Sequence, residues 1–290
     1  MTEPVLEKQL RVAHLKAAAA EAGACHMDVV VHDSIDSTNS WSLQQCKTGK
    51  ALPFACFADE QTSGRGRRGK QWVMSPGSNI AMSVTWPFDS SYQQLSLLPL
   101  SIAIAIVDTL ESLKLQQVSI KWPNDVYVQG KKIAGILIET QVITEKQVSA
   151  TAAVAGHVAV TIGVGLNYDM STLASDESRL MLAFTDVCEQ LVLQSVDFKP
   201  DRTFVASTLL QHVIKVCRSF QQDSMHYLEK FRRQYDFCKD KNIEIIMDDG
   251  QVLSGIACGV SDNAELQVLI EGRQYVFNSA EVSVKAAPES

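Results

Sequence analysis

The segment that most limits the possible folds of this chain is a run of glycines and arginines at residues 64–69. Its three glycines, Gly64, Gly66 and Gly69, leave the backbone free to adopt positive φ and expose successive N–H groups. Three arginines and the following Lys70 add positive charge that an anionic ligand would neutralise. We interpret this segment, the glycine loop, as a phosphate-binding loop, with a solvated basic surface loop as the alternative.

The glycine spacing also matches the dinucleotide-binding fingerprint, but that fingerprint requires an amphipathic helix directly after the glycines. Here Trp72 is soon followed by Ser75-Pro76-Gly77, so no helix opens. A P-loop would need Ser or Thr after the Gly-Lys pair, and position 71 is Gln. The sequence therefore supports neither a dinucleotide-binding fold nor a P-loop.

Composition and charge limit the class of protein. A chain of 290 residues suits one large domain or two, and a net charge of -7 argues against general nucleic-acid binding, which needs a basic surface. The seven cysteines show no Cys-x-x-Cys spacing, which argues against a zinc site or a disulfide framework. The longest apolar run, 97–107, is too short to cross a bilayer. We expect a cytoplasmic protein with no membrane segment.

The order of the predicted elements indicates two domains. Short strands separated by turns begin at Lys241, which predicts a small all-β domain at 240–290 after a mixed domain at 1–239. Within the mixed domain Pro87 is expected to end a strand, and Gln129-Gly130 is typical of a two-residue hairpin turn. The predicted helices are 5–22, one beginning at Ser40, 95–115, a poorly defined region at 173–193, 204–220 and 224–237. The predicted strands of this domain are 27–32, 54–58, 79–86, 118–120, 126–128, 132–139 and 158–164.

Two polar segments outside the glycine loop are candidates for a site. Residues 37–39 are Ser-Thr-Asn, which can cap the helix that follows or face a ligand. Lys121 ends a predicted strand and precedes a Pro-Asn-Asp turn, an arrangement suited to directing one charge into a cleft. An ordinary surface turn is the alternative for the second segment.

Four separated segments together resemble the biotin protein ligases, and their order and spacing match over almost the whole chain. The combination of the glycine loop with the Lys-Trp-Pro-Asn-Asp turn is highly specific for that family. The four segments are Ser37-Thr38-Asn39, Gln61 with the glycine loop, Lys121-Trp122-Pro123-Asn124-Asp125 with Gly135-Ile136-Leu137-Ile138-Glu139, and Gly163-Val164-Gly165-Leu166-Asn167.

The resemblance implies an α+β fold. Its catalytic domain would have a mixed sheet flanked by helices, as in class II aminoacyl-tRNA synthetases, followed by a C-terminal SH3-like β-barrel. Residues 242–284 are similar to that barrel, although Asn263-Ala264 and Ser279-Ala280 stand where the family usually has glycines. Asn tolerates the left-handed conformation, so the first change should be mild; nothing in the sequence accounts for the second.

The resemblance also implies a two-step reaction. Biotin and MgATP would give biotinyl-AMP and pyrophosphate, and the acyl group would pass to one lysine of a biotin carboxyl carrier domain, as in acetyl-CoA carboxylase or a related enzyme. A carboxylate and an α-phosphate repel each other unless fixed cations lie between them. We expect Lys121 and Arg65 to supply that charge and Arg67 to hold the phosphate of the adenylate.

The resemblance implies binding roles for particular positions of this sequence, but it identifies no metal ligands. Those expected to bind biotin are Ser37, Thr38, Asn39, Gln61, Gly64, Arg65, Gly66, Arg67, Lys121, Gly135 and Leu137. Those expected to bind the nucleotide are Arg65, Arg67, Arg68, Trp72, Asn124 and Asn167.

Two other functions stay open: a lipoate or octanoate ligase or transferase of the same fold, and a sensor that binds biotin without catalysis. The region before Ser37 predicts one helix and one strand, which is too short for a winged helix-turn-helix. We therefore expect the monofunctional type of ligase, without specific nucleic-acid binding, as a monomer or weak homodimer.

Overall fold

A seven-stranded mixed sheet and a five-stranded antiparallel sheet form the frame of the protein. The computed structural model describes residues 9–89, 93–142, 157–171, 184–279 and 282–286. The helices are α1 (Val12–Glu21), α2 (Thr38–Lys47), α3 (Leu98–Ser112), α4 (Val187–Leu193) and α5 (Arg202–Lys230). The strands of the large sheet are β1 (Asp28–Ile35), β2 (Phe54–Gln61), β3 (Asn79–Asp89), β4 (Val118–Lys121), β5 (Asp125–Val128), β6 (Lys131–Val142) and β7 (His157–Asn167). The strands of the C-terminal sheet are β8 (Asn242–Met247), β9 (Val252–Val260), β10 (Leu266–Ile270), β11 (Arg273–Phe277) and β12 (Val282–Ala286).

The large sheet has the strand order β1-β2-β3-β7-β6-β5-β4. Its first two strands are parallel and all other neighbours are antiparallel. In the centre, β6 and β7 pair so that Gly135 lies opposite Gly165 and Leu137 opposite Gly163. This register gathers three glycines on adjacent strands, so that other side chains can pack directly against the strand backbone. The predicted mixed α/β fold with a large mixed sheet is confirmed.

The two faces of this sheet are covered differently. Alternate residues of a strand point to opposite faces, so Ala55 and Phe57 join the main core while Phe54 packs with Trp41 and Cys46 of α2. The segment Leu95–Ser112 is long and apolar enough to cross a membrane by length and composition, but 67% of it is buried in the fold. We therefore interpret it as a core helix packed between the sheet and α5.

Several predicted boundaries are wrong for identifiable reasons. β3 continues through Pro87. Its pairing with β2 ends at Thr85, so beyond that residue β3 is paired only with β7. A proline is tolerated in a strand that has one unpaired edge. The two helices predicted after residue 204 form the single helix α5, since no Gly or Pro interrupts residues 221–223. α2 begins at Thr38, earlier than predicted.

Other predictions concern residues that the structure describes only partly. α1 begins at Val12, later than predicted, and residues 5–8 of the predicted helix lie outside the described part of the chain. Of the predicted helical region at 173–193, only α4 lies within the described residues.

All seven cysteines are free thiols, and four of them are buried.

The second sheet begins where the sequence pattern changes, at residue 242. Its strand order is β11-β10-β9-β8-β12, antiparallel throughout. Its buried residues are continuous with the main core, so this sheet packs against the rest of the molecule.

Candidate active site

A cleft of about 340 Å³ lies on the face of the large sheet that carries α2. Its walls come from the N-terminus of α2, the glycine loop, the Lys121–Asp125 turn, β6, β7 and part of β12. The structure brings these sequence-predicted residues together in its walls: Ser37, Thr38, Asn39, Gln61, Arg65, Gly66, Arg67, Arg68, Trp72, Lys121, Asn124, Gly135 and Leu137.

One end of the cleft is a network of neutral polar side chains. Ser37 is the N-cap of α2, and Gln61 Oε1 accepts hydrogen bonds from the backbone N–H of Thr38 at 2.8 Å and its hydroxyl at 3.1 Å. Ser83 Oγ lies 2.8 Å from Thr38 Oγ1 and 2.6 Å from Asn39 Oδ1. Residues 37–39 therefore cap the helix and also build the cleft wall. Ser83 was not singled out from the sequence, although a serine inside an apolar strand was a signal for a buried polar partner.

Arg65 is held at the side of the cleft by a carboxylate. Its guanidinium donates two hydrogen bonds to Glu139, at 2.7 and 3.2 Å, and Asn39 Nδ2 donates to the same carboxylate at 3.0 Å. Glu139 belongs to a motif singled out in the sequence, but no role was assigned to it. In this structure the charge of Arg65 is paired, whereas the sequence suggested that it lay between two ligand anions.

Lys121 ends β4 and lines the cleft, as the turn that follows it predicted. Its ammonium lies 5.8 Å from the ring centre of Tyr127, and among the described residues no carboxylate forms an ion pair with it. Burial lowers the pKa of Lys121, while Cys238 and Asp125 raise it and neighbouring lysines lower it further. The cleft thus contains a half-buried cation that forms no ion pair within the described part of the chain.

Trp72 lies flat over the glycines of the central strands. A Cβ atom on Gly165 would overlap its indole ring, and a Cβ on Gly135 would come within 3.3 Å of it. Lys132 Nζ lies 5.8 Å from the ring centre and forms an ion pair with Asp125 at 2.7 Å. The indole Nε1 is buried without a hydrogen-bond partner among the described residues. Neither Lys132 nor Asp125 was assigned a role from the sequence.

The glycine loop and the Lys121–Asp125 turn both contact the C-terminal sheet. Arg67 donates to Asn124 Oδ1 at 3.1 Å and to the carbonyl oxygen of Ser279, and burial lowers its pKa. Arg68, at φ 55°, forms an ion pair with Asp248. The loop arginines are therefore partly engaged by protein groups in this structure.

Trp122 makes a third contact with that sheet, because its Nε1 donates to the carbonyl oxygen of Ala264 at 2.8 Å. Ala264 adopts φ 61°, so the left-handed residue of this turn is the alanine. Asn263 was expected to adopt the left-handed conformation in place of a glycine, and this expectation was wrong. A β-carbon is strained in that conformation, whereas asparagine would have tolerated it.

Two predicted site residues lie outside the cleft walls. Asn167 is buried, accepts from Asn79 Nδ2 at 2.8 Å and donates to the carbonyl oxygen of Thr185 at 2.9 Å. Its amide therefore joins β7 to neighbouring segments. Gly64 accepts a hydrogen bond from the N–H of Trp72 at 2.9 Å, and a Cβ there would overlap the Trp72 carbonyl oxygen. Glycine at this position closes the base of the loop.

The comparisons with known proteins agree with one another, and together they cover most of the chain. Residues 31–156 match the model of the Biotin/lipoate A/B protein ligase family. The bifunctional ligase/repressor BirA of Escherichia coli is 29% identical over 89% of this chain and 74% of its own length. The biotin--[acetyl-CoA-carboxylase] ligase of Mycobacterium tuberculosis is 26% identical over 91% of this chain and 90% of its own length.

A solved structure shares the fold. The biotin protein ligase of Aquifex aeolicus, in complex with biotin and ATP, superposes with a TM-score of 0.69 and covers 90% of this chain and 99% of its own. Its sequence identity is 20%, so this likeness establishes the fold alone.

Proposed function

We propose that the chain is a biotin protein ligase, which activates biotin with ATP and transfers it to a lysine of a carrier protein. In the first step a biotin carboxylate oxygen attacks the α-phosphorus of ATP, a P–O bond forms and pyrophosphate leaves. In the second step the neutral amine of the carrier lysine attacks the acyl carbon, AMP leaves and the amine loses a proton.

The observation that carries this proposal is the position of Lys121. It provides a half-buried positive charge in the wall of the cleft that also contains the neutral network around Gln61 and the basic glycine loop. A fixed cation in such a cleft lowers the repulsion between a carboxylate and a phosphate and stabilises the charge that develops as they react. The polar end suits the ureido ring of biotin, which needs both hydrogen-bond donors and acceptors.

The two ligands would then lie along the length of the cleft. We assign biotin to the polar network and the floor of the central strands, and the nucleotide to the side of the cleft that Trp72 lines. The proposed biotin residues are Ser37, Thr38, Asn39, Gln61, Arg65, Gly66, Arg67, Lys121, Gly135 and Leu137. The proposed nucleotide residues are Arg65, Arg67, Arg68, Trp72 and Asn124, with Gly64 and Asn167 supporting the walls from behind.

Magnesium would enter with ATP. Among the described residues no cluster of three or more His, Cys, Asp or Glu side chains is arranged to hold a metal ion. Mg²⁺ commonly binds through substrate phosphates and one or two carboxylates, so Asp125 in the cleft wall fits this mode. The ion would neutralise phosphate charge while Lys121 orients the reacting oxygens.

At the level of domains, we propose that residues 1–239 form the catalytic domain and 240–290 a C-terminal domain. The mixed sheet with helices on both faces supports a relationship between the catalytic domain and the class II aminoacyl-tRNA synthetases. The five short antiparallel strands support an SH3-like barrel for the C-terminal domain. The partner would be a biotin carboxyl carrier domain. The ligase would bind it in the cytoplasm as a monomer or weak homodimer.

Exchange of pyrophosphate into ATP tests this function. Purified protein should catalyse exchange when biotin is added, and should label one lysine of a biotin carrier domain. Lipoate and octanoate are the matched comparisons, because the family model that matches this chain also includes lipoate ligases. Exchange that depends on lipoate or octanoate instead of biotin would assign the chain to the other branch. Biotin binding without any exchange would indicate a sensor.

A further inference from the structure

Neighbouring arginines of the glycine loop both contact the C-terminal sheet. Arg67 donates to the carbonyl oxygen of Ser279, which lies between β11 and β12, and Arg68 pairs with Asp248, which directly follows β8. β8 and β12 pair so that the last residue of β8 lies opposite the first of β12. Asp248 and Ser279 therefore lie at the same end of this sheet, and the glycine loop contacts that end at two adjacent points.

The opposite end of the sheet is attached independently of the glycine loop. Trp122 donates to the carbonyl oxygen of Ala264, and Arg232 donates to the carbonyl oxygen of Val260 at 2.9 Å and to Asp262 at 2.7 Å. These residues lie near the connection between the two sheets. Loss of the loop contacts would leave this attachment in place and release the end that carries Asp248.

The conformation of Arg68 also indicates that its contact is structural. It has φ 55° inside the loop, a left-handed conformation that a residue with a β-carbon keeps only when its surroundings favour it. Three further cations, Arg65, Arg67 and Lys70, lie in the same short segment. The carboxylate of Asp248, which is paired with Arg68, reduces the repulsion between Arg68 and these three cations.

We propose that Asp248 is a positioning residue. By pairing with Arg68 it holds the glycine loop against the C-terminal sheet, and the loop then retains the acyl adenylate until the carrier lysine reacts. This role rests on the proposed ligase function. The side chain of Asp248 is 70% exposed and that of Arg68 27%, so the pair is partly screened by water and its effect is modest.

Asp248→Asn in the full-length protein tests whether the pair holds the loop. The matched control is Asp249→Asn, which removes the same charge from the same turn and keeps an oxygen to accept the N–H of Gln251. Amide hydrogen exchange of residues 64–72 without ligand should be about two- to fivefold faster in Asp248→Asn than in the control, as expected for a partly exposed ion pair. In 1 M salt, which screens exposed charges, the difference should shrink.

A second measurement tests retention of the intermediate. Each variant is incubated with biotin, MgATP, a biotin carrier domain and a bystander protein. Asp248→Asn should raise the ratio of bystander to carrier labelling about two- to fivefold, with adenylation rate and melting temperature unchanged. A general loss of stability would instead lower both kinds of labelling.

The outcomes separate the two proposals. Equal exchange and equal labelling ratios in Asp248→Asn and Asp249→Asn would overturn the role of Asp248. If the wild-type protein forms no biotinyl-AMP, the ligase function fails, and retention fails with it. The exchange comparison then still decides whether Asp248 holds the loop.

Discussion

At the scale of single residues, Lys121 and Arg65 show how similar charges are used differently. Arg65 is paired with Glu139, whereas Lys121 has no carboxylate partner among the described residues. Only the second arrangement leaves positive charge available for two incoming anions. We therefore place Lys121 at the reacting atoms and Arg65 at the wall that orients biotin.

Lys121→Met should lower the rate of adenylation by about 10² or more, since it removes a charge that acts mainly in the transition state. Biotin affinity should fall less. Lys131→Met, which removes an exposed lysine from the neighbouring hairpin, is the control and should be nearly neutral. Similar losses in both variants, measured by pyrophosphate exchange, would show that Lys121 has no special role.

The pH dependence of the reaction should report the same lysine. Burial lowers the pKa of Lys121, so its charge is lost as pH rises through a value below that of an ordinary lysine. kcat/KM for adenylation should fall on the alkaline side with an apparent pKa below the ordinary lysine value of about 10.4. Lys121→Arg keeps its charge, so its residual activity should lack that alkaline loss. An unchanged alkaline limb in Lys121→Arg would assign the titration to another group.

Ala264 gives a stability prediction at the same scale. Its left-handed backbone strains a β-carbon, and glycine removes that strain at some cost in chain entropy. Ala264→Gly should therefore raise the free energy of unfolding by about 0.5 kcal/mol. Ala257→Gly, in the buried part of β9, should lower it. Denaturant titrations measure both, and a destabilised Ala264→Gly would contradict this account of the turn.

At the scale of elements, β7 places two glycines against different partners. Gly163 and Gly165 are two residues apart and so face the same side of the strand. A Cβ on Gly163 would overlap the amide of Asn39, and a Cβ on Gly165 would overlap the indole of Trp72. The same strand thus shapes the polar end of the cleft at one position and the side that carries Trp72 at the other.

Alanine substitutions at these glycines should separate the two binding sites. Gly163→Ala should weaken biotin binding more than ATP binding, because it displaces Asn39. Gly165→Ala should do the reverse, because it displaces Trp72. Each variant is the control for the other, and we expect at least about a tenfold change in the dissociation constant of the affected ligand, corresponding to about 1.4 kcal/mol. Calorimetric titrations that show equal losses for both ligands would contradict this division.

Elements set by local chemistry were predictable from the sequence, and those set by distant contacts were not. The hairpin turn at Gln129-Gly130 was predicted from a two-residue connection that contains glycine, and both residues adopt positive φ in the structure. The pairing of Arg65 with Glu139 joins residues far apart in sequence, and no local pattern specifies it. The buried role of Asn167 depends likewise on the tertiary position of Asn79. Candidate site residues could thus be proposed from motifs, while their partners in the fold could not.

At the scale of the whole molecule, charge limits the range of partners. The chain carries a net charge of -7, and Arg65 and Arg68 of the basic loop are paired with acidic residues. A protein that holds DNA through its phosphates needs a continuous basic surface. We therefore expect duplex DNA at physiological salt to bind no tighter than about micromolar. Fluorescence anisotropy with a labelled duplex measures this, and a nanomolar complex that resists added salt would refute it.

The links between the cleft and the C-terminal sheet have a consequence for how this sequence can change over evolutionary time. Trp122 and Arg67 both bind carbonyl oxygens of that sheet, at Ala264 and Ser279. Every amino acid supplies a carbonyl oxygen, so mutations can replace these side chains without deleting the acceptor. Neither Ala264 nor Ser279 is a glycine, and both provide this bond. Natural variation should be freer at Ser279 than at Asp248, where the acceptor is the side chain itself.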